Sequence, residues 1–434
     1  MVEIERRGML RTQRFDEKPP PRAGAMPMLL MGLLLLLPLV PRPTVASPLR
    51  FAAPAVAAVL LLAAFAHVMS RPRAPWPMAK PPALAAVFVL AGTTVYLFRV
   101  AFVGDPTEYP FAASRVLMVA AIFAFFALAR ERPVETSFHW LTLGVLILSA
   151  LALYIGTTGT NFLEPPRPAR SFGVELPVMK TAGVPRSYGE QGIFYALAIS
   201  YFLGYRSRFP AWAQIPIVAL LLGGAIVSQS RNVYLAVVVV VAAWYLIVSP
   251  GRYLALRVVV IAASIATFVV QFLLQFLAQT PVIAPLVGEG IYERNVYRRF
   301  TLLDAAQSFV SEQPLRALVG FDHHEWRTTT MGIEEVGLHN NFAASLVHLG
   351  LVAGAITLVG LFFLPAFRVI SQLEAGDLDD AQSRVRKVCL TALVGALISL
   401  NFYEGFFSLV LAFLVAVLWI ASCSPQSKNA GQRR

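Results

Sequence analysis

Long apolar runs, separated by short polar segments, recur along the whole chain. A helix needs about 20 residues, at roughly 1.5 Å each, to cross a hydrocarbon layer about 30 Å thick, and the runs are of that order. They are uniformly apolar rather than alternating, which favours helices over the strands of a barrel. The pattern predicts an all-α polytopic membrane protein with twelve transmembrane helices, at about residues 26–40, 51–69, 82–103, 111–129, 138–156, 190–204, 211–227, 232–248, 255–277, 342–367, 388–403 and 405–421.

The composition supports a membrane protein and argues against two other classes. Hydrophobic residues make up 57% of the 434 residues and charged residues 14%, whereas soluble domains average about 25% charged residues. The net charge of +12 is spread through the gaps between apolar runs, so no nucleic-acid partner is expected. Two cysteines, Cys389 and Cys423, are too few for a disulfide framework.

The basic residues predict the orientation of the helices. With the N-terminus in the cytoplasm, the inner segments carry 22 of the 36 lysines and arginines, and the outer segments carry 12. The remaining two, Arg99 and Arg115, fall within predicted spans, while Arg257, at the inner end of the span 255–277, is counted with the inner segments. Because short cytoplasmic loops are enriched in Lys and Arg, both termini are predicted to be cytoplasmic.

The two ends of the chain differ in composition from the predicted membrane domain. Residues 1–25 are basic and contain Pro19 to Pro21, which indicates a disordered cytoplasmic tail. Residues 26–422 are predicted to form one membrane domain, and residues 423–434 a cytoplasmic tail. Val45 to Ser47 loosely resembles a signal-peptide cleavage site, but Pro48 argues against cleavage.

Two predicted outer segments are much longer than the other loops. Residues 157–189 are rich in Pro, Gly and Arg, and residues 278–341 separate the ninth and tenth predicted helices. The second segment holds eight of the 24 acidic residues, five arginines and three of the six histidines. Long loops are usually functional or disordered, and this concentration of titratable groups favours function.

The segment Ser228 to Arg231 interrupts two strongly apolar runs and predicts a tight helical hairpin at the outer surface. Polar residues at membrane depth are costly and often mark a site. Arg231 can face the bundle interior and bind an anion, because a guanidinium matches phosphate oxygens with two donors. The alternative is that Arg231 extends to the lipid headgroups.

A second anion site is predicted in the long outer loop. Thr301 to Asp304 resembles a capping box at the start of a short amphipathic helix, which Pro314 ends. A helix N-terminus attracts phosphate, and three arginines precede this one: Arg294, Arg298 and Arg299. The alternative is a solvated basic turn paired with Glu289 or Glu293.

His339, Asn340 and Asn341 stand at the mouth of the tenth predicted helix, where either asparagine can serve as N-cap. His339 is a candidate general base or a hydrogen-bonded structural residue. His323 and His324 lack the spacing of a metal-ligand set. No metal and no other cofactor is predicted.

Further charged and titratable residues lie near the ends of other predicted helices. Arg186 and Glu190 share the outer depth of the sixth, where Glu190 is either a general base or the ion partner of an arginine. Arg99 and Arg115 either extend to the headgroups or pair with Asp105 or Glu108. His348, in the tenth predicted helix, is interpreted as an interhelical hydrogen-bond partner.

Three segments together resemble the O-antigen ligase and O-antigen polymerase superfamily of bacterial membrane glycosyltransferases. Ser228 to Arg231 is similar to its Ser-x-Ser-Arg hairpin, and Glu312 to Phe321 is similar to its Pro-Leu-x-Gly-x-Gly signature. His339 to Gly354 resembles its His-Asn entry to a glycine-containing span. The chain departs from the pattern at Arg316 to Gly320, where the family reaches Leu-Gly-x-Gly sooner.

The resemblance implies a GT-C-like fold in the bacterial inner membrane and a metal-independent, inverting glycosyl transfer at the periplasmic face. The implied donor is a glycan linked to undecaprenyl pyrophosphate. Arg231, with loop arginines, would bind the diphosphate, and His339 would position or deprotonate the acceptor hydroxyl. Arg186, Glu190 and Asn340 are possible substrate contacts.

The sequence does not identify the acceptor. The preferred interpretation is a ligase that passes the glycan to lipid A-core, and the close alternative is an O-antigen or exopolysaccharide polymerase. A polytopic transporter is the alternative from another class, supported by Arg99 and Arg115. The long charged outer loop and the lack of interrupted helices in matching halves argue against it.

Overall fold

The computed structural model describes residues 25–36, 52–70, 80–102, 106–130, 134–158, 167–171, 174–180, 188–228, 230–249, 251–266, 268–269, 294–322, 326, 340–376, 378–401 and 408–423. The predicted tails, 1–25 and 423–434, lie outside this part except for Ala25 and Cys423. The helices of the first half are α1 Ala25–Leu36, α2 Ala52–Met69, α3 Lys80–Phe102, α4 Tyr109–Arg130, α5 Val134–Thr158, α6 Tyr188–Tyr205, α7 Ala211–Ser228, α8 Arg231–Val248 and α9 Tyr253–Ser264.

The remaining helices include both surface and core elements. They are α10 Arg294–Glu312, α11 Pro314–Val319, α12 Asn341–His348, α13 Leu351–Leu358, α14 Leu364–Ala375, α15 Asp380–Leu400 and α16 Leu409–Ser422. A π-helical turn, Val359–Phe363, joins α13 to α14 without a break. Short 3-10 helices, Pro106–Glu108 and Arg206–Arg208, precede α4 and follow α6.

Each predicted span overlaps at least one described helix, but the count of twelve is not established. Within the described part of the chain, five helical segments are long and apolar enough to cross a membrane: Pro82–Phe102, Tyr109–Ala129, Val134–Thr158, Ala211–Ser228 and Leu351–Ala375. Shorter apolar helices include Asn232–Val248 and Leu409–Ser422. Large apolar side chains such as Leu62 (69% exposed) and Val238 (64%) cover the outside of the bundle, as expected for a helical membrane protein in contact with lipid.

The all-α class is confirmed for the bundle, and the first long loop adds one small strand hairpin that was not predicted. Strands β1 Arg167–Ser171 and β2 Val174–Lys180 form an antiparallel hairpin, with Ser171 opposite Val174. The polar and proline-rich sequence concealed the alternation of Val174, Leu176 and Val178 along β2. Because a two-stranded hairpin leaves one edge of each strand unpaired, it tolerates the proline in each strand.

The tenth predicted helix, 342–367, is also corrected. It is divided at Leu349 and Gly350 into α12 and the continuous α13–α14 segment, which extends to Ala375. Gly350 has φ +87°, which is incompatible with a continuing helix. Hydropathy alone does not reveal the break, since the apolar residues continue through it.

Three helices, α6, α8 and α15, form the centre of the bundle. Glycines allow the close approach: a Cβ on Gly192 would lie 3.0 Å from the Ser399 Cβ, and one on Gly395 would lie 2.8 Å from the Ala196 Cβ. Gly204, at the other end of α6, faces Val388 of α15 and Trp244 of α8. These contacts show that α6 and α8 run parallel and that α15 runs antiparallel to both.

One end of this bundle is rich in arginine and is called here the basic end. Arg208 and Arg384 both lie over the ring of Tyr205, with guanidinium carbons 5.0 Å and 5.5 Å from its centroid. Arg386, at the start of α15, donates from Nε to Gln372 Oε1 at 2.8 Å and from Nη2 to the Cys423 carbonyl at 3.0 Å. The C-termini of α14 and α16 therefore meet the N-terminus of α15 here.

The opposite end is called here the polar end. It holds the start of α8, the end of α15 and the end of α9, whose Ala263 carbonyl accepts a hydrogen bond from Asn401 Nδ2 at 2.6 Å. Because α13 and α14 form one continuous helix that ends at the basic end, Gly350 at its start lies at the polar end. Helix α3 packs antiparallel to α13–α14: a Cβ on Gly92 would lie 2.7 Å from the Ala353 carbonyl oxygen, and one on Gly360 would lie 2.7 Å from that of Ala85.

Candidate functional site

The hairpin predicted at Ser228 to Arg231 is confirmed. Helix α7 ends at Ser228, and α8 begins at Arg231 with Ser230 as its N-cap residue in an extended conformation. The Ser230 carbonyl accepts hydrogen bonds from the backbone N–H groups of Val233 (3.0 Å) and Tyr234 (3.1 Å). Arg231 is therefore the first residue of a helix whose N-terminus lies at the polar end, and its side chain lies outside the described part.

Polar side chains at this end are buried between the three central helices. Glu190 is 4% exposed, Gln191 4%, and Asn232 5%. Ser230 Oγ donates to Asn232 Oδ1 at 2.7 Å, and a Cβ on Gly192 would lie 3.6 Å from Asn232 Nδ2. The predicted substrate residue Glu190 thus lies in the first turn of α6, inside the bundle rather than at its surface.

Gln191 carries an unsatisfied acceptor at the same level. Its Oε1 atom is buried, and no hydrogen-bond donor to it is found among the described residues. Buried polar atoms are normally paired, because desolvation of an unpaired one costs about 1–3 kcal/mol. Gln191 was not predicted, although its position beside Glu190 in an otherwise apolar helix was a usable signal.

The loop arginines occupy one helix, and this corrects the predicted capping box. Helix α10 begins at Arg294, so Thr301 and Asp304 lie inside it rather than at its start. Residues 294–300 contain no helix breaker, and the helix extends through them. Arg294 lies at the N-terminus, while Arg298 and Arg299 follow one turn later; the side chains of these three arginines lie outside the described part.

The predicted helix end at Pro314 is confirmed. Helix α10 ends at Glu312, and Pro314 begins α11 at its first position, where a missing N–H has no cost. On its apolar face, α10 contributes Leu302, Ala306 and Phe309 to a buried cluster with Ala343, Val347 and Trp326. The helix is therefore attached to α12 rather than free in a loop.

Asn340, one of the two predicted candidates, is the N-cap of α12. Its Oδ1 accepts hydrogen bonds from the backbone N–H groups of Phe342 (2.9 Å) and Ala343 (3.0 Å). Its Nδ2 is buried, and no acceptor for it is found in the described part of the chain. His339 directly precedes this cap and lies outside the described residues, as do Arg186, His323 and His324.

The loop after α11 is joined to the end of α12. The Phe321 N–H donates to the Val347 carbonyl at 2.9 Å, and His348 Nδ1 lies 3.2 Å from the Phe321 carbonyl. The His348 ring also meets Trp326 edge to face at 6.4 Å. His348 therefore forms a hydrogen bond across elements, as predicted, although its partner is a loop carbonyl rather than another helix.

Arg99 links this loop to the α3–α4 hairpin. Its Nη2 lies 3.2 Å from Glu108 Oε2, and its Nη1 donates to the Gly320 carbonyl at 3.4 Å. Pairing with Glu108 was one of the two predicted alternatives, and it is confirmed for Arg99. The ion pair is buried, and it fixes Arg99 in the α3–α4 hairpin. The bond from Arg99 to the Gly320 carbonyl then holds the loop segment against this hairpin.

No group of three His, Cys, Asp or Glu side chains is placed to hold a metal ion within the described ranges. The chain matches no protein-family model, and no curated protein is significantly similar to it.

Proposed function

We propose that this chain is an O-antigen ligase-like glycosyltransferase. It transfers a glycan from undecaprenyl pyrophosphate to an acceptor sugar of lipid A-core at the periplasmic face of a bacterial inner membrane. The observation that carries the proposal is the location of three segments: Ser228 to Arg231, Pro314 to Phe321, and the start of α12 all belong to the polar end of the bundle. The arginine-rich end lies on the opposite side, where the positive-inside rule assigns the cytoplasm.

The chemistry at the polar end requires cations. A diphosphate is a good leaving group, so its departure needs neutralisation of developing charge rather than a strong acid. Arg231, at the N-terminus of α8, combines a guanidinium with the partial positive charge of the helix end. Arg294, Arg298 or Arg299 would supply the second cation from α10. Arg186 and Glu190 are further candidate contacts for the sugar head.

The acceptor hydroxyl is activated on the side of the anomeric carbon opposite the leaving diphosphate. His339 has an imidazole whose ordinary pKa, about 6.5, suits a general base at neutral pH. It directly precedes Asn340, whose side chain caps α12. The unsatisfied Nδ2 of Asn340 and Oε1 of Gln191 offer one donor and one acceptor to sugar hydroxyl groups.

The full topology follows from the same proposal. Twelve membrane helices, both termini in the cytoplasm, and a large periplasmic loop carrying α10 and α11 would bring the lipid donor's head to the polar end while its tail stays in the bilayer. Such a protein uses no metal, because the arginines take the role that a divalent ion would otherwise fill.

The proposal is tested with two site variants and two matched controls. His339→Ala and Arg231→Ala should each abolish glycan transfer while leaving expression and membrane insertion normal. The controls replace the same residue types at the basic end: His139→Ala, and Arg252→Ala at the start of α9. Retained transfer in a purified site variant would remove that residue from the mechanism.

A further inference from the structure

A second group of buried polar side chains lies between α3 and α4, and it is called here the hairpin cluster. Its members are Thr93, Tyr96, Arg99, Glu108 and Arg115, with exposed fractions of 5%, 1%, 7%, 0% and 6%. Tyr96 is central, since three charged side chains act on it electrostatically: Glu108, Arg99 and Arg115. The cluster therefore holds two cations and one carboxylate next to buried apolar residues such as Val100 and Ala112.

The Glu108 carboxylate is paired with the Arg99 guanidinium and with the Tyr96 hydroxyl. Glu108 Oε2 lies 3.2 Å from Arg99 Nη2 and accepts a hydrogen bond from the Tyr96 hydroxyl, also at 3.2 Å. The guanidinium carbon of Arg99 lies 5.3 Å from the centroid of the Tyr96 ring. These contacts balance one positive charge of the cluster and leave the charge of Arg115.

Arg115 has no such match in the described part of the protein. Its Nε and Nη2 atoms are buried without a hydrogen-bond acceptor there, and the titratable group that acts on it is the Tyr96 phenol. Isolating a charge from water costs several kcal/mol unless a counter-charge is present. A buried guanidinium with open donors therefore indicates a missing anionic partner.

Two further unsatisfied atoms in the cluster can donate a hydrogen bond, as the Arg115 atoms do. Arg99 Nε and Thr93 Oγ1 are buried without a partner among the described residues. Tyr96 and Ala112 belong to one apolar cluster of the antiparallel α3–α4 hairpin. Thr93 lies three residues before Tyr96 in α3, and Arg115 lies three residues after Ala112 in α4. Because the two helices run antiparallel, both residues lie about 4.5 Å further from the turn that joins the helices, and therefore at the same level. Each of these groups carries a hydrogen to donate, which fits an acceptor-only ligand.

We propose that the hairpin cluster binds the phosphate group of a membrane lipid, with Arg115 as the main contact and Thr93 and Arg99 as further donors. Phosphate fits because its oxygens accept several hydrogen bonds and match the fork of a guanidinium. Arg115 is the seventh residue of α4, about 9 Å along the axis from its start at the polar end. The phosphate bound there neutralises the excess positive charge, and this role is separate from glycan transfer.

The test measures ligand-induced stabilisation of the full chain, purified in detergent and depleted of lipid. The probes are phosphatidylglycerol, diacylglycerol with the same acyl chains, and inorganic phosphate. Phosphatidylglycerol should raise the unfolding temperature, whereas diacylglycerol, which lacks the phosphate, should not. Arg115→Gln and Thr93→Val should weaken the apparent affinity for phosphatidylglycerol, about tenfold or more for Arg115→Gln. The control Arg257→Gln, which removes an arginine paired with Glu374 at 2.6 Å, should bind like the wild type.

Each result decides for or against the site. Stabilisation by inorganic phosphate equal to that by the lipid would support the phosphate site and identify a free ion as its source. Equal stabilisation by diacylglycerol, no stabilisation by any probe, or unchanged affinity in both cluster variants would overturn the proposal. Thr93→Val preserves side-chain shape, so it decides the question even where Arg115→Gln does not fold. Glycan transfer is not measured, and its loss or retention leaves this test unaffected.

Discussion

Gly320 and Gly350 lie backbone to backbone at the polar end of the bundle: a Cβ added to Gly320 would lie 2.5 Å from the Gly350 nitrogen. Their φ angles are +97° and +87°, with extended ψ, in a region that side-chain-bearing residues avoid. This contact joins the segment after α11 to the break between α12 and α13. It thereby connects two of the three segments on which the proposed function rests.

The contact predicts that Gly320→Ala destabilises the protein. The new methyl group would meet the Gly350 nitrogen and, at 2.7 Å, the His348 carbonyl, in addition to the backbone strain. We expect a loss of about 2–4 kcal/mol, which lowers the unfolding temperature in detergent. Gly376→Ala is the control, because Gly376 has φ +75° and nothing within 4 Å of an added Cβ. Its loss should be only about 1–2 kcal/mol; equal losses would show that the Gly320 contact is unimportant.

Variants at Asn340 separate its cap from its proposed contact with substrate. Asn340→Ala removes the acceptor for the N–H groups of Phe342 and Ala343 and should cost about 1 kcal/mol of stability. Asn340→Asp keeps that acceptor but loses Nδ2, so it should unfold at the wild-type temperature and transfer glycan about fivefold to tenfold more slowly. Wild-type transfer by the aspartate variant would assign Asn340 a structural role alone.

Loss of the Arg386 side chain should lower the stability of the protein without lowering its catalytic rate. Arg386→Leu leaves Gln372 Oε1 without its Arg386 donor and removes one of the two donors to the Cys423 carbonyl, which keeps Gln372 Nε2 at 3.2 Å. We expect a loss of about 2–4 kcal/mol. Because Arg386 lies at the basic end, the transfer rate per folded molecule should be unchanged. Size-exclusion chromatography gives the folded fraction, and initial rates are divided by it. A lower rate per folded molecule would show that the basic end affects catalysis. It would contradict the assignment of the chemistry to the polar end alone.

Transfer should also survive removal of divalent ions. If arginines neutralise the diphosphate, a strong chelator leaves the initial rate within about twofold, since the stabilising charges belong to the protein. The measurement compares chelated protein with chelated protein given back magnesium or manganese. Loss of activity that one of these ions restores would refute the metal-free account.

Local features of this fold were predictable because their causes are local. The hairpin between α7 and α8 follows from four polar residues between two apolar runs, and the start of α11 follows from Pro314. The Asn340 cap follows from an amide side chain before an apolar run. In each case a few consecutive residues determine the backbone, so the sequence was sufficient.

Other features depend on residues far apart in the chain. The break at Gly350 requires the Gly320 backbone, and the Arg99 contact with the Gly320 carbonyl spans more than 200 residues. The start of α10 at Arg294 was hidden by a capping-box pattern inside the helix. The burial of Gln191 in α6 and of Asn232 in α8 depends on how the helices pack. Periodicity along one segment carries no information about such partners.

The central claim is tested most directly by a reconstituted reaction. Purified protein is incubated with lipid-linked repeat units, with and without lipid A-core, and the products are separated on a gel. Our account predicts glycan attached to lipid A-core when the core is present, from the wild type and Arg252→Ala but not from His339→Ala. Growth of longer chains without core would identify a polymerase instead of a ligase. A donor left unconsumed by the wild-type protein in both reactions would contradict glycan transfer altogether.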